Sequence, residues 1–268
     1  MIDVLAAGEP IDAPVAVVAA HPDDETLGLG ARLARLGRLT LIHLTDGAPR
    51  DLADARRAGC AGWQDYARAR RAELARALGV LGAKPRAALA YDCPDQGAAF
   101  RLVELAERLR ADLAGAELVI THPFEYGHPD HDAAAFAVHA ACARLARERG
   151  RAPAIAEFAS YHLGADGGVV RGRFRADPAR RERAVRLTLP ERECKARALA
   201  CFATQQATLA PFPLDAEPYR AAPAYDFTAP PAHGAYYDRF GWAVTGAGWR
   251  TLAAQALAEL DLAAARCA

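Results

Sequence analysis

The sequence has six cysteines in 268 residues but no Cys-x-x-Cys pair. Scattered at Cys60, Cys93, Cys142, Cys194, Cys201 and Cys267, they read as reduced thiols of a cytoplasmic protein, not as a disulfide framework. There is no excess of either charge: Lys plus Arg and Asp plus Glu are 33 each, for a formal net charge of zero. A balanced chain sets up no field to draw in nucleic acid or a membrane surface, so neither is expected as a partner. No uninterrupted apolar stretch reaches the roughly 18 residues that a membrane span needs. The first ten residues hold no Lys or Arg and no long apolar run, so no signal peptide is expected. No internal repeat and no low-complexity tract is present. What remains is a chain 52% hydrophobic and 25% charged, enough for a packed core. Its length suits one large α/β domain or two modest ones. The expectation is a single domain over 1–268, with a core of about 14–205 and an extension of about 206–268.

Pattern and punctuation give an alternating rhythm. Strands are expected at Pro14–Ala20, Leu39–Thr45, Arg86–Tyr91 and Glu117–Thr121. Helices are expected at Thr26–Arg38, Asp65–Leu81 and Phe100–Leu113, with a long polar loop over 48–64. Strand and helix in alternation mean βαβ units, so the fold class is α/β: a Rossmann-like, mostly parallel sheet flanked by helices. A further helix is expected over Asp132–Glu148. Beyond it come a hairpin of Ile155–His162 with Gly168–Phe174, a strand at Ala184–Leu189, a helix from Pro190 to Phe202 and a final helix from Arg250 to Arg266. Residues 207–235 are rich in proline and aromatics and have no clear period.

Two stretches carry chemistry. The first apolar strand stops at His21-Pro22-Asp23-Asp24-Glu25. In open α/β sheets ligands bind at the carboxyl edge of the strands. One turn cannot bury three adjacent carboxylates without a cation or hydrogen-bond donors. A helix N-cap accounts for only one of them. The fourth strand runs into His122-Pro123-Phe124-Glu125-Tyr126-Gly127-His128-Pro129-Asp130-His131. There His128 and His131, three apart where a loop becomes a helix, can point into one site. With His21 and Asp24 they supply a mixed nitrogen and oxygen set for Zn2+, with an open position for water. Asp23 or Glu25 can then take that water's proton.

The two motifs resemble those of the PIG-L/LmbE-like family of zinc-dependent N-deacetylases, over about residues 14–205. Thr45-Asp46-Gly47, Arg70-Arg71-Ala72-Glu73-Leu74, Pro94-Asp95-Gln96 and Lys195 through Thr204-Gln205 add weaker matches. The resemblance implies His21, Asp24 and His131 as metal ligands and Asp23 as general base. It implies His128 as the residue that stabilises an oxyanion or protonates the leaving amine, and Asp130 as the carboxylate that orients a histidine. It implies a Rossmann-like sheet, one Zn2+ per chain (Fe2+ suits the same donors) and removal of the N-acetyl group from an N-acetylglucosamine-type conjugate. The same site in this family also serves thiol-conjugate amidases and a hydratase, and those stay open as alternatives.

Of the other candidates, Arg70 either reaches the substrate from its helix or pairs with Glu73. Asp95 either binds a sugar hydroxyl or forms a turn. His43 is expected to be packed, and His122 to contact substrate or end its strand. Arg50, Arg56 and Arg57 either meet an anionic group or lie in solvent. The aromatics of 211–249 form a substrate lid or cover an edge of the core. Gly28-Leu29-Gly30 lacks the third glycine of a dinucleotide fingerprint. The expected partner is a small amino-sugar molecule, and a homo-oligomer is compatible with the sequence.

Overall fold

The computed structural model describes residues 1–177 and 181–262. The chain runs α1 (Ile2–Ala7), β1 (Ile11–Ala19), α2 (Asp24–Leu29), β2 (Leu36–Thr45), α3 (Ala53–Arg57), α4 (Trp63–Leu81) and β3 (Ala87–Cys93). It continues with α5 (Leu102–Asp112), β4 (Leu118–Thr121), α6 (Pro129–Arg149), β5 (Ala154–Phe158), β6 (Tyr161–Leu163) and β7 (Val169–Arg171). Last come β8 (Glu182–Arg186), α7 (Leu189–Leu199), α8 (Gln206–Leu209), β9 (Ala216–Ala221) and α9 (Gly246–Glu259). The main sheet has the order β3-β2-β1-β4-β5-β9-β8. Strands β1 to β5 pair in parallel; β9 and β8 extend the sheet antiparallel.

The central strand shows why the sequence folds this way. Side chains alternate faces along a strand. Ala16 and Val18 enter the core under α5, α6 and α9, whereas Val15 and Val17 enter the core under α1, α2 and α7. A strand covered on both faces must be apolar at every position, which is the continuous run seen in the sequence. Pro14 is tolerated in it because the register shifts between Ile11 and Pro14. Chain order leaves β1 toward β2 and β3 on one side and returns to β4 on the other. The crevice outside the carboxyl ends of β1 and β4 is therefore the place for a ligand.

Several elements differ from expectation. The polar loop expected over 48–64 contains the short helix α3 (Ala53–Arg57). The helix expected over Thr26–Arg38 ends at Leu29, and Leu36 already begins β2 by pairing opposite Ile11. Sheet pairing there overrides helical spacing. Gly28 lies against the Phe158 ring, where an added Cβ would come within 2.3 Å of it, so α2 packs flat on the sheet. Ile155–His162 is not one hairpin strand. Its first half is β5 of the main sheet, and only β6 turns back to pair with β7. The featureless stretch 207–235 contains β9. Its inward residues are Glu217 and Tyr219, 1% and 0% exposed, and Glu217 is buried with Lys195 at 2.8 Å. A buried ion pair on an inward face hides the apolar alternation. The last helix spans Gly246–Glu259; residues 263–266 of the expected helix lie outside the described residues.

The aromatic extension divides between the two roles weighed for it. Phe227, Tyr237 and Trp249 are buried in the core beside α6, whereas Tyr236, Phe240 and Trp242 line a cleft over the two histidine motifs. Cys60, Cys93, Cys142, Cys194 and Cys201 are free thiols. Among the described residues no helix is long and apolar enough to cross a membrane.

Candidate metal centre

Parallel pairing of β1 with β4 sets Val17 opposite Ile120, so both strands deliver their next residues to one edge. After β1, the chain turns sharply through His21 to Asp24. Asp23 takes φ 145°, a strained value for an aspartate. The strain is held from three sides. Asp23 N–H donates to Glu25 Oε2 at 3.1 Å. His21 N–H donates to Asp24 Oδ2 at 2.7 Å. The Arg70 guanidinium bonds Pro22 O at 2.9 Å, Gly47 O at 2.8 Å and Asp23 Oδ2 at 3.1 Å.

After β4, the loop enters α6 by its own chemistry. His128 caps the helix, its Nδ1 accepting from Asp130 N–H at 3.1 Å, and Pro129 occupies the first turn. Asp132 reaches back to Tyr126 N–H at 3.0 Å and steadies its positive φ of 58°. Gly127 lets the loop touch the β6 strand. A Cβ there would sit 2.0 Å from Tyr161 O.

The two turns bring His21, Asp24 and His131 together. Asp24 bridges the histidines, its Oδ2 lying 3.3 Å from His21 Nδ1 and its Oδ1 3.3 Å from His131 Nε2. The other nitrogen of each ring is engaged elsewhere. His21 Nε2 lies 3.2 Å from Asp130 Oδ2, and Ser160 Oγ meets His131 Nδ1 at 3.0 Å. That leaves His21 Nδ1 and His131 Nε2 facing Asp24, an arrangement that fixes ring orientation for ligation. Three sets offer ligand atoms within 4.8 Å of one another: His21, His128 and His131; His21, Asp95, His128 and Asp130; and Asp24, His122 and His131. His122 stacks on His131 at 4.0 Å and accepts from Ala20 N–H at 3.1 Å through Nε2. It also lies 3.3 Å from Asp24 Oδ2, buried behind His131 and Asp24, and does not line the cleft.

The electrostatics fit a cation. Burial would hold His21 neutral, but Asp95, Asp130 and Asp24 outweigh it and raise its pKa well above the ordinary value, so these carboxylates hold on this ring a proton that a metal would displace on binding. Burial also opposes ionisation of Asp24, and His131 and His122 overcome it, holding this carboxyl well below the usual range. Burial brings His131 down to about 3, with His122 adding to the effect, so its ring is a neutral donor. One ionised carboxylate and imidazole lone pairs are the donor types that bind Zn2+ or Fe2+.

Two further groups flank this set. Burial, against the pull of Arg70 and with Asp24 adding repulsion, raises Asp23 to about 8. Burial and the charge on His21 lower His128 to about 3. With Nδ1 occupied as an acceptor, neutral His128 carries its proton on Nε2. That N–H points to the side of the cleft where Asp95 Oδ1 lies at 3.8 Å.

Other expectations sort as follows. Glu25 faces away, bonding Thr26 Oγ and His43 Nε2. The pairing weighed between Arg70 and Glu73 does not occur; Glu73 holds Thr204, and Arg70 braces Asp23 instead. Asp95 sits among the histidines, 3.5 Å from His21 Nε2. Asp130 accepts from Gln96 and Ala98 N–H, tying the loop after β3 to α6. Arg50 pairs with Asp46 and Arg57 with Asp54, and Arg56 is exposed. Trp242, one of the aromatics weighed as a lid, lies 4.9 Å from His128. Ser160 and Tyr161, which no sequence motif marks, lie 3.0 and 5.3 Å from His131. They follow the parallel strand β5, and that position is the signal that finds them. The cleft over the site measures about 350 Å3.

Residues 16–142 match the family model for PIG-L, described as GlcNAc-PI de-N-acetylase. No curated protein matches the sequence. Among solved structures, the A40926 pseudoaglycone deacetylase Dbv21 is 21% identical with a TM-score of 0.57, over 79% of this chain and 97% of that one. The zinc-inhibited form of teicoplanin deacetylase Orf2 is 16% identical with a TM-score of 0.55, over 78% and 97%. The N,N'-diacetylchitobiose deacetylase of Pyrococcus horikoshii is 18% identical with a TM-score of 0.51, over 79% and 84%. At these identities the likeness to solved structures is one of fold. The family match over 16–142 spans both histidine motifs.

Proposed function

We propose that this chain is a metal-dependent N-deacetylase that removes the acetyl group from an N-acetylglucosamine-type amino-sugar conjugate, with Zn2+ held by His21, Asp24 and His131. The observation that carries the reading is Asp24 between two oriented imidazoles, with Asp23 and the Nε2–H of His128 flanking the same cleft. The family match and the deacetylases of like fold support it.

A divalent ion at this site supplies Lewis acidity, making water nucleophilic near neutral pH and polarising the acyl oxygen. Asp23 takes the proton of the attacking water; burial raises its proton affinity from 3.8 to about 8, and a bound cation beside it would bring it back toward the ionised form that a base needs. Arg70 fixes the orientation of Asp23 and limits that rise. His128 donates its Nε2–H to the oxyanion of the tetrahedral carbon, worth about 3–4 kcal/mol of barrier. The amine then leaves with a proton returned from Asp23 or His128. Asp130 positions His21 and the His128 backbone turn, and Asp95 lies near both rings. The cleft admits a small sugar, with Asp95 within reach of its hydroxyls.

The test is acetate release from a panel of N-acetylglucosamine conjugates, using Zn-loaded protein beside Asp23→Asn. The wild type releases acetate, and the variant keeps its metal but loses roughly 100-fold to 10,000-fold in kcat. A near-normal rate in Asp23→Asn would remove Asp23 from the mechanism. Metal-loaded protein that releases no acetate from any conjugate would turn the reading toward another amide or a hydration.

A further inference from the structure

We propose that the substrate of this cleft is an amino sugar bearing an acidic group, a carboxylate or a phosphate, and that Arg171 is the residue that reads it. The inference rests on the deacetylase reading and narrows it to a substrate class.

The argument starts from the hairpin that leaves the metal centre. Ser160 holds His131 at 3.0 Å, and the next residue, Tyr161, places its ring 5.3 Å from the same imidazole. In the β6–β7 pair, Tyr161 lies directly opposite Arg171. Directly opposed residues share a face, with Cβ atoms about 5 Å apart. Arg171 thus starts one cross-strand step from the metal-facing tyrosine, and it lines the same cleft.

Of the two arginines that line the cleft, Arg70 is committed to Asp23 and two carbonyls. Arg171 makes no ion pair among the described residues. The residue is half-buried, and its guanidinium lies 6.0 Å from the Phe212 ring centroid. A guanidinium partly withdrawn from water beside an aromatic wall, with its donors uncommitted, is suited to a bidentate anion.

Arg171 lines the same cleft as Asp23, Asp24 and Asp95. An acidic substituent paired with Arg171 leaves the amide free to reach the two histidine motifs. The volume of about 350 Å3 suits a single sugar with a short acidic substituent.

The experiment is steady-state kinetics and equilibrium binding on the metal-loaded full chain. The probes are N-acetylglucosamine, N-acetylmuramic acid and N-acetylglucosamine 1-phosphate. The proteins are wild type, Arg171→Met and Arg171→Lys. The wild type is expected to favour one acidic sugar over the neutral one. Arg171→Met raises the KM for that acidic sugar roughly tenfold to 100-fold more than for the neutral one, at similar kcat, and Arg171→Lys recovers part of the loss. Whichever acidic probe shows the larger loss identifies carboxylate or phosphate. Equal use of neutral and acidic sugars by the wild type, or an equal KM rise for all three in Arg171→Met, would overturn the inference. If none of the three probes is turned over, the conjugate panel decides the deacetylase reading separately. Calorimetric affinity then decides the anion subsite by itself: a loss in Arg171→Met confined to the acidic probes upholds it, and equal affinities refute it.

Discussion

Replacing Glu25 with alanine removes three hydrogen bonds from a carboxylate that is 0% exposed. Asp23 N–H, 3.1 Å away, and His43 Nε2, 2.9 Å away, are then buried without an acceptor; the Thr26 hydroxyl can turn to another. Each orphaned buried donor costs about 1–3 kcal/mol. The vacated volume adds to this, so Glu25→Ala should lose about 3–6 kcal/mol, a large share of the roughly 5–15 kcal/mol that holds a domain folded. Glu25→Gln keeps the volume and one accepting oxygen and should lose about 1–3 kcal/mol. The functional consequence follows from φ 145° at Asp23. A strained residue persists only while its surroundings hold it, and Glu25 is one of its holders. Glu25→Gln should therefore bind metal yet turn over more slowly than its stability explains. The assay is urea unfolding at fixed metal concentration, together with metal content and acetate release. A Glu25→Ala protein within about 0.5 kcal/mol of wild type would refute the reasoning, because the lost bonds would then have had no worth.

Two further predictions follow from single contacts. Ser160→Ala leaves His131 Nδ1 without its 3.0 Å partner and should weaken metal binding about tenfold to 100-fold in a chelator competition; unchanged affinity would show that the hydroxyl does not orient the ring. Burial raises Glu157 from 4.5 to about 7, against the pull of Arg220. A carboxyl whose proton is held more tightly in the folded state contributes stability below about pH 4.5, and that contribution is lost as pH rises to about 7. Glu157→Gln should flatten this part of the stability-against-pH curve, by up to about 3 kcal/mol relative to wild type, and a difference between the two proteins that is constant with pH would contradict it.

The strands and the two histidine turns were legible because their signals are local. Val15 to Ala19 is apolar at every position because both faces of β1 are covered, and a chain of that kind can end at the sheet edge only in the residues that follow it. His128-Pro129-Asp130-His131 reads as a helix entry because the cap, the proline and the acidic first turn are all encoded within four residues. β9 was illegible because its inward positions are Glu217 and Tyr219, polar residues that satisfy each other and Lys195. The short α2 was over-extended because its helical spacing continues past the point where Leu36 pairs with Ile11.

The sequence by itself determined that a mostly parallel sheet carries two acid-and-histidine turns to one edge, since strand burial, turn chemistry and helix capping act over a few neighbouring residues. Only the tertiary structure decided which carboxylate faces the cleft. Asp23 and Glu25 are two residues apart and chemically alike, but the parallel register that sets Ala19 beside His43 brings a partner to Glu25 and turns it inward. Arg70, 47 residues from Asp23, then braces the carboxylate left facing the cleft. The same holds for Ser160, Tyr161 and Arg171, which join the site because β5 lies beside β4 and β6 folds back over it. Contacts of that kind depend on how elements pack, and no spacing along the chain records them.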